Sequence, residues 1–266
     1  MSAEPSPELM ELLGGWIRRP GRTPLIGIAG CQGSGKTTLA RTAAKAFGAA
    51  TVSLDDFYLS SADRQALAAR EHPLFVTRGV PGTHDMDLAG QTVTRMQARV
   101  RGRQAIPVFD KLADERRPQS EWRDLDPSAS AVLVEGWCLG ALAQSSAQLA
   151  APVNALEETE DRDGRWRWAV NRRLQGAYAA FIRRFDAILF LKAPSWDVVL
   201  DWRCEQEAGL LGLETSALPP ARRAELARFV QHYERISRWM MEGGARAEAV
   251  AQLRLDRTVQ GVESAR

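Results

Sequence analysis

The sequence predicts an α/β protein: a doubly wound, mostly parallel sheet with flanking helices and a lid. Three observations carry that expectation. A glycine-rich run, Gly30-Cys31-Gln32-Gly33-Ser34-Gly35-Lys36-Thr37, fits the P-loop pattern G-x-x-x-x-G-K-[ST]. It sits between a short apolar run, Leu25 to Ala29, and a helix-forming stretch, Thr37 to Phe47, which is the strand–turn–helix context the motif needs. Beyond it, strand-like and helix-like stretches alternate with no repeat and no low-complexity linker, so the sheet expected is of P-loop NTPase type.

The elements follow in order. Leu9, Leu12, Leu13 and Trp16 recur at helical spacing, so residues 7–19 form an amphipathic helix, ended by Pro20-Gly21. Residues 1–20 are therefore a helical extension, and 21–266 a single domain. Ala50 to Leu54 reads as a second strand delivering Asp55-Asp56-Phe57-Tyr58 at its C-terminal end, the edge where open α/β sheets bind ligands. Residues 62–71 read as helix and 73–87 as an irregular segment. Leu88 to Arg101 is helix again, and Ala105 to Phe109 a short strand, with a charged surface loop to about Pro127. Ala131 to Val134 is a buried strand closed by Glu135. The acidic run within 151–165 reads as a solvated loop. Trp166 to Arg184 is a helix, Ala187 to Leu191 a strand, and Trp196 to Leu211 a helix. Pro219-Pro220 opens a helix running to about Met241, and Ala247 to Leu255 gives a last strand.

Composition bounds the function. A chain of 266 residues with 45% hydrophobic and 26% charged residues is ordinary for a soluble globular protein. A net charge of +2 gives no reason to expect nucleic acid or a membrane surface as partner. Cys31, Cys138 and Cys204 are odd in number and lack metal-ligand spacing, so they read as reduced thiols of a cytoplasmic protein. No signal peptide and no span-length apolar run is expected, and a monomer is the default. Only four basic residues are Lys (36, 45, 111 and 192). In an Arg-rich chain that draws notice to Lys36 and Lys111 as compact point charges.

The motifs define chemistry. Backbone amides of Gly30, Gln32, Gly33, Ser34 and Gly35, with those of the helix start to Thr38, would cradle the phosphates of ATP. Lys36 would bridge the β- and γ-phosphates, and the Thr37 hydroxyl would hold Mg²⁺. Asp55 and Asp56 flank the phosphate site. Adjacent residues on an extended chain point to opposite faces, so one of them is placed to orient a hydroxyl and take its proton, and Asp capping of the next turn is the plainer alternative. Glu135, closing an apolar strand, stands where a carboxylate holds Mg²⁺. Arg203 either pairs with Glu207 along a helix face or closes as a lid arginine over the transferring phosphoryl group. An N-K-x-D guanine motif and an L-S-G-G-Q transporter signature are both missing, and Asp161-Arg162-Asp163-Gly164 reads as an ordinary turn.

With these residues in view, the chain resembles the D-glycerate 3-kinases, within the P-loop kinases that include phosphoribulokinase, uridine kinase and pantothenate kinase. The resemblance runs from the P-loop to about Met241. It is carried by Ser53-Leu54-Asp55-Asp56-Phe57-Tyr58, Arg78-Gly79-Val80-Pro81-Gly82-Thr83-His84-Asp85, Phe109-Asp110-Lys111, Glu135-Gly136-Trp137 and Trp202-Arg203-Cys204-Glu205-Gln206-Glu207. It implies an ATP-dependent kinase acting on a hydroxyl of D-glycerate, with Asp55 rather than Asp56 as general base, Glu135 as the Mg²⁺-associated acid and Arg203 as lid arginine. The Arg78–Asp85 segment would sit in the acceptor pocket. A small anion there wants cationic and hydrogen-bonding groups: Arg78, His84, Lys111 and Arg116 or Arg117, with Asp85 accepting from a hydroxyl and Tyr58 lining the wall. His84 has a structural alternative as a hydrogen bonder in its Pro-Gly loop, and Tyr58 as a packed aromatic. The stretch after Lys111 is shorter than the family pattern, with Asp114 or Glu115 and Arg116 in place of an expected G-D-R. A sister kinase for a nucleoside, pantothenate or sugar acid, and a P-loop ATP-binding regulatory protein, are the rival readings.

Overall fold

The computed structural model describes residues 5–99, 105–124 and 128–264. Its centre is a six-stranded sheet. From one edge to the other the strands are Val259–Ser264, Ala249–Leu253, Ala187–Lys192, Leu25–Gly30, Val132–Gly136 and Ala50–Ser53. All neighbours are parallel except the Ala249–Leu253/Val259–Ser264 hairpin. The P-loop strand is thus central, with Val132–Gly136 on one side and Ala187–Lys192 on the other. Successive residues of a strand face opposite sides. Accordingly Leu25 and Ala29 join one core layer, with Phe57, Phe75, Trp137 and Tyr233. Ile26 and Ile28 join the other, with Leu39, Trp202 and the first helix.

That first helix, Pro7–Ile17, buries Leu9, Leu13, Trp16 and Ile17 against the second layer, and Gly14 gives it close approach to Phe47. The P-loop helix is Lys36–Phe47, and the long helix Pro220–Met241 covers the other face. No helix among the described residues is long and apolar enough to cross a membrane.

Several expected elements differ. The second strand stops at Ser53, and Leu54–Phe57 is a 3₁₀ turn, so Asp55 and Asp56 diverge around a turn rather than along an extended chain. The helix expected over 88–101 runs Met86–Gln97; Arg101 lies outside the described residues, as does Pro127. The strand expected over 105–109 is instead two short ladders, Ala105–Ile106 with Arg123–Asp124 and Phe109–Asp110 with Glu115–Arg116. The helix from 165 carries a π segment, Leu174–Tyr178, before it resumes at Ala179–Ile182. The final strand is half of a hairpin.

The largest correction concerns the acidic run. It is not a solvated loop: Ala155–Glu160 is helical, and Glu157 and Asp161 are fully buried. Arg235 donates to both oxygens of Glu157, at 2.7 and 2.6 Å. Asp161 accepts from the Trp166 and Arg167 amides and the Arg167 guanidinium. A carboxylate goes inside when such partners meet it, and a partner 78 residues away leaves no mark in local composition.

Candidate active site

The P-loop leaves the sheet at the C-terminal end of Leu25–Gly30. Gly33 has φ +75°, and a Cβ there would lie 2.6 Å from Trp202 Cβ, so both the backbone and the space demand glycine. Gly35, also left-handed, starts the helix at Lys36, whose first-turn amides have no intrahelical acceptors. Two buried polar atoms of the loop, Gln32 Oε1 and Ser34 Oγ, have no partner among the described residues. The Ser34 hydroxyl, beside a helix N-terminus, can donate to a ligand rich in anionic oxygens, whereas Gln32 Oε1 can only accept.

Beside this cradle, Glu135 gathers three groups. Thr37 Oγ1 donates to Glu135 Oε1 at 3.0 Å and Ser53 Oγ at 2.8 Å, while Lys36 Nζ lies 4.0 Å from Oε2. A carboxylate and two hydroxyls are hard oxygen donors, the set that fits Mg²⁺ shared with phosphates and water. A cleft of about 840 Å³ opens from the loop, lined by Gly33 to Leu39, by Trp202 and Gln206, and by the turn Asp256–Val259. That volume is nucleotide-sized. Arg257, at the tip of the terminal hairpin, donates from Nε to the Gly33 carbonyl at 2.7 Å. Its guanidinium lies 4.9 Å from the Trp202 ring and pairs with Glu205.

A second polar group surrounds Asp55. Lys111 Nζ reaches its Oδ2 at 2.6 Å and Tyr58 Oη donates to Oδ1 at 2.9 Å. Burial alone would push the Asp55 carboxyl up, but the Lys111 and Lys36 ammonium groups outweigh it and hold the pKa well below the carboxylate range. Asp56 turns away to the Phe109 amide, at 3.3 Å, and to Arg123; burial pushes its carboxyl up to about 6. Arg78 pairs with Asp114, donates to the Lys111 carbonyl and lies over the Phe109 ring. Tyr233 donates to the Arg78 carbonyl and Trp137 to that of Gly79, and a Cβ at Gly79 would collide with Tyr233. His84 stacks on Tyr58, with ring centroids 4.5 Å apart, and meets Tyr178 Oη at 2.6 Å from Nδ1.

Other expected site residues have structural partners. Asp85 caps the Met86–Gln97 helix by accepting from Leu88 N–H, and its second oxygen faces Arg116 at 3.4 Å. Arg116 donates to the Phe57 and Tyr58 carbonyls. Both side chains therefore hold the loop together rather than face Asp55. Asp114 takes Arg64 and Arg78, which makes it the anchor of the shortened loop. Arg203 pairs with Glu207 at 2.6 Å, as the helix-face alternative expects, and Arg222 shares that carboxylate. One Arg203 nitrogen, Nη1, is buried beside Phe229 without a partner among the described residues. Ser53, Tyr178, Tyr233 and Arg257 were not singled out by the sequence. Ser53 opens the S-x-D-x-F-Y piece and was legible there, whereas the other three come from distant elements with no motif.

A P-loop with an acid and two hydroxyls at its mouth, opening on a cation-flanked aspartate, defines a P-loop kinase, a phosphotransferase that uses a nucleoside triphosphate. Comparison with known proteins narrows this. No protein-family model matches the chain. It is 30% identical over 225 residues to the "uncharacterized kinase mug58" of Schizosaccharomyces pombe, covering 80% of this chain and 79% of that protein. It is 29% identical over 202 residues to the chloroplastic D-glycerate 3-kinase of Arabidopsis thaliana, covering 70% of this chain but only 41% of that longer protein. The D-glycerate 3-kinase of Cryptococcus neoformans shares the fold, with a TM-score of 0.75 at 22% identity over 96% of this chain and 99% of that one. The chain belongs to the same kinase family as mug58, and it is similar to D-glycerate 3-kinases in sequence and fold.

Proposed function

We propose that the protein transfers the γ-phosphoryl group of MgATP to a hydroxyl of D-glycerate, giving 3-phosphoglycerate. The observation that carries this reading is the 2.6 Å contact of Lys111 with Asp55, with Arg78 bonded to the Lys111 carbonyl. A base so close to a lysine and an arginine suits an acceptor that is itself a small anion. The P-loop amides and Lys36 bind the triphosphate. Thr37 and Glu135 would hold Mg²⁺, which when bound would supply neutralisation of the phosphate charge. Arrival of the acceptor carboxylate draws Lys111 and Arg78 onto itself and frees Asp55. Asp55, ionised throughout the physiological range, accepts the hydroxyl proton as the acceptor oxygen bonds to the γ-phosphorus. The bond from that phosphorus to the β-bridging oxygen breaks, and ADP leaves with the electron pair. Lys36 and the free Arg203 nitrogen bear on the charge that develops on the phosphoryl oxygens.

A coupled ADP-release assay with MgATP tests this, run with D-glycerate, L-glycerate, uridine and pantothenate separately. Stimulation by D-glycerate alone is expected, with phosphorus NMR placing the product phosphate on O3. Stimulation by uridine or pantothenate instead would discard glycerate and retain the kinase.

A further inference from the structure

The segments around Tyr58 and His84 pair like two antiparallel strands: Leu59 N–H donates to the Thr83 carbonyl at 2.9 Å and Asp85 N–H to the Phe57 carbonyl at 2.8 Å. Tyr58 and His84 are thereby a non-hydrogen-bonded pair, the position at which facing side chains come closest, and their rings stack. Behind His84 stands Tyr178, the last residue of the π segment. π-Bulges within α-helices are frequent at functional sites, and this one includes Gly176 with non-helical angles.

Tyr178 Oη accepts from Gly82 N–H at 3.2 Å and lies 2.6 Å from His84 Nδ1. A phenol has one proton to give, and Nδ1 is the acceptor placed for it. An Nδ1 that accepts carries no hydrogen, so the ring proton of the neutral imidazole is on Nε2. That nitrogen is buried and has no partner among the described residues, and His84 is only 5% exposed. Such an unpaired donor is costly to bury, a cost removed when a ligand oxygen meets it. Burial also draws the imidazole down to about 4, against the pull of the Asp55 carboxylate, so the ring is uncharged near pH 7.

We propose that Tyr178 is a positioning residue of the acceptor pocket, which locks His84 as the Nε2–H tautomer and so presents a neutral, directional N–H to an oxygen of the bound acceptor anion. The recognition half rests on the acceptor reading above, and the tautomer half does not. Lys111 and Arg78 supply charge, which attracts any anion, while the fixed N–H selects one whose oxygen lies in a particular direction.

The chain has only three histidines, 72, 84 and 232, so long-range ¹H–¹⁵N correlation spectra of the full-length, ¹⁵N-histidine-labelled protein resolve each ring. At pH 7 His84 is expected with Nε2 protonated and Nδ1 bare. Tyr178→Phe keeps the ring and removes the hydroxyl, and should leave His84 as a tautomer mixture. In the same variant the acceptor KM should rise about tenfold with ATP KM unchanged, while the lost partner of the Gly82 N–H lowers the melting temperature by a few degrees without unfolding the protein. An Nδ1–H tautomer in the parent, an unshifted tautomer in Tyr178→Phe, or an unshifted acceptor KM each overturns the proposal. The NMR result needs no acceptor, so it is readable even if glycerate proves not to be the substrate.

Discussion

Asp55 and Asp56 sit side by side and titrate in opposite directions, because a 3₁₀ turn sends one toward two lysines and the other into the protein. Asp55 is depressed, so its ionised form stabilises the fold above the ordinary aspartate range, and that contribution is lost as pH falls through its lowered pKa. Asp56 is raised from 3.8 to about 6, so its ionisation opposes folding at neutral pH. Asp56→Asn should therefore gain on the order of 1–2 kcal/mol in urea unfolding at pH 7.5, after allowance for partial exposure. The gain shrinks as pH falls through 6 and disappears below about 3.8. Asp55→Asn should bind ATP normally and lose about 10²–10⁴ in turnover. Near-normal turnover would remove it from the role of base. The sequence displayed both acids and, through the family pattern, favoured Asp55. It did not display the sign of either shift, since Asp55 is lowered by Lys111, more than fifty residues away, and Asp56 is raised by its burial in the folded chain.

At the level of elements, the buried Glu157–Arg235 pair ties the Ala155–Glu160 helix to the Pro220–Met241 helix. Removing one partner leaves an uncompensated interior charge. Glu157→Leu should cost about 3–5 kcal/mol in denaturant unfolding, and the double change with Arg235→Leu should recover much of it. Equal losses in the single and double variants would count against the pair as the cause. Here the sequence misled, because five acids in fifteen residues resemble a solvated loop, and only tertiary packing shows which are inside. The strands with clean apolar runs, Leu25–Gly30, Val132–Gly136 and Ala187–Lys192, were legible because each is buried on both faces of a parallel sheet. The Val259–Ser264 edge strand has no buried residue and carries no such signature.

Across the whole molecule, the sheet places the P-loop at its centre while the terminal hairpin reaches back to hold it. Arg257→Ala removes the bond to the Gly33 carbonyl and the stacking on Trp202. Because Gly33 belongs to the phosphate cradle, affinity for inorganic tripolyphosphate and for ATP should fall alike, by about tenfold, as read by calorimetry. A loss confined to ATP would show instead that Arg257 contacts the base. Strand–helix alternation and the motif context made the overall architecture readable in advance, but a contact spanning 224 residues was not. That span also sets a schedule. At roughly 5–20 residues per second of synthesis, the ribosome makes the P-loop and then takes on the order of 10–45 s to make the arginine that braces it. A nascent chain arrested before residue 257 would carry the whole motif and still grip triphosphate poorly, so full nucleotide affinity waits on an arginine made long after the loop it braces.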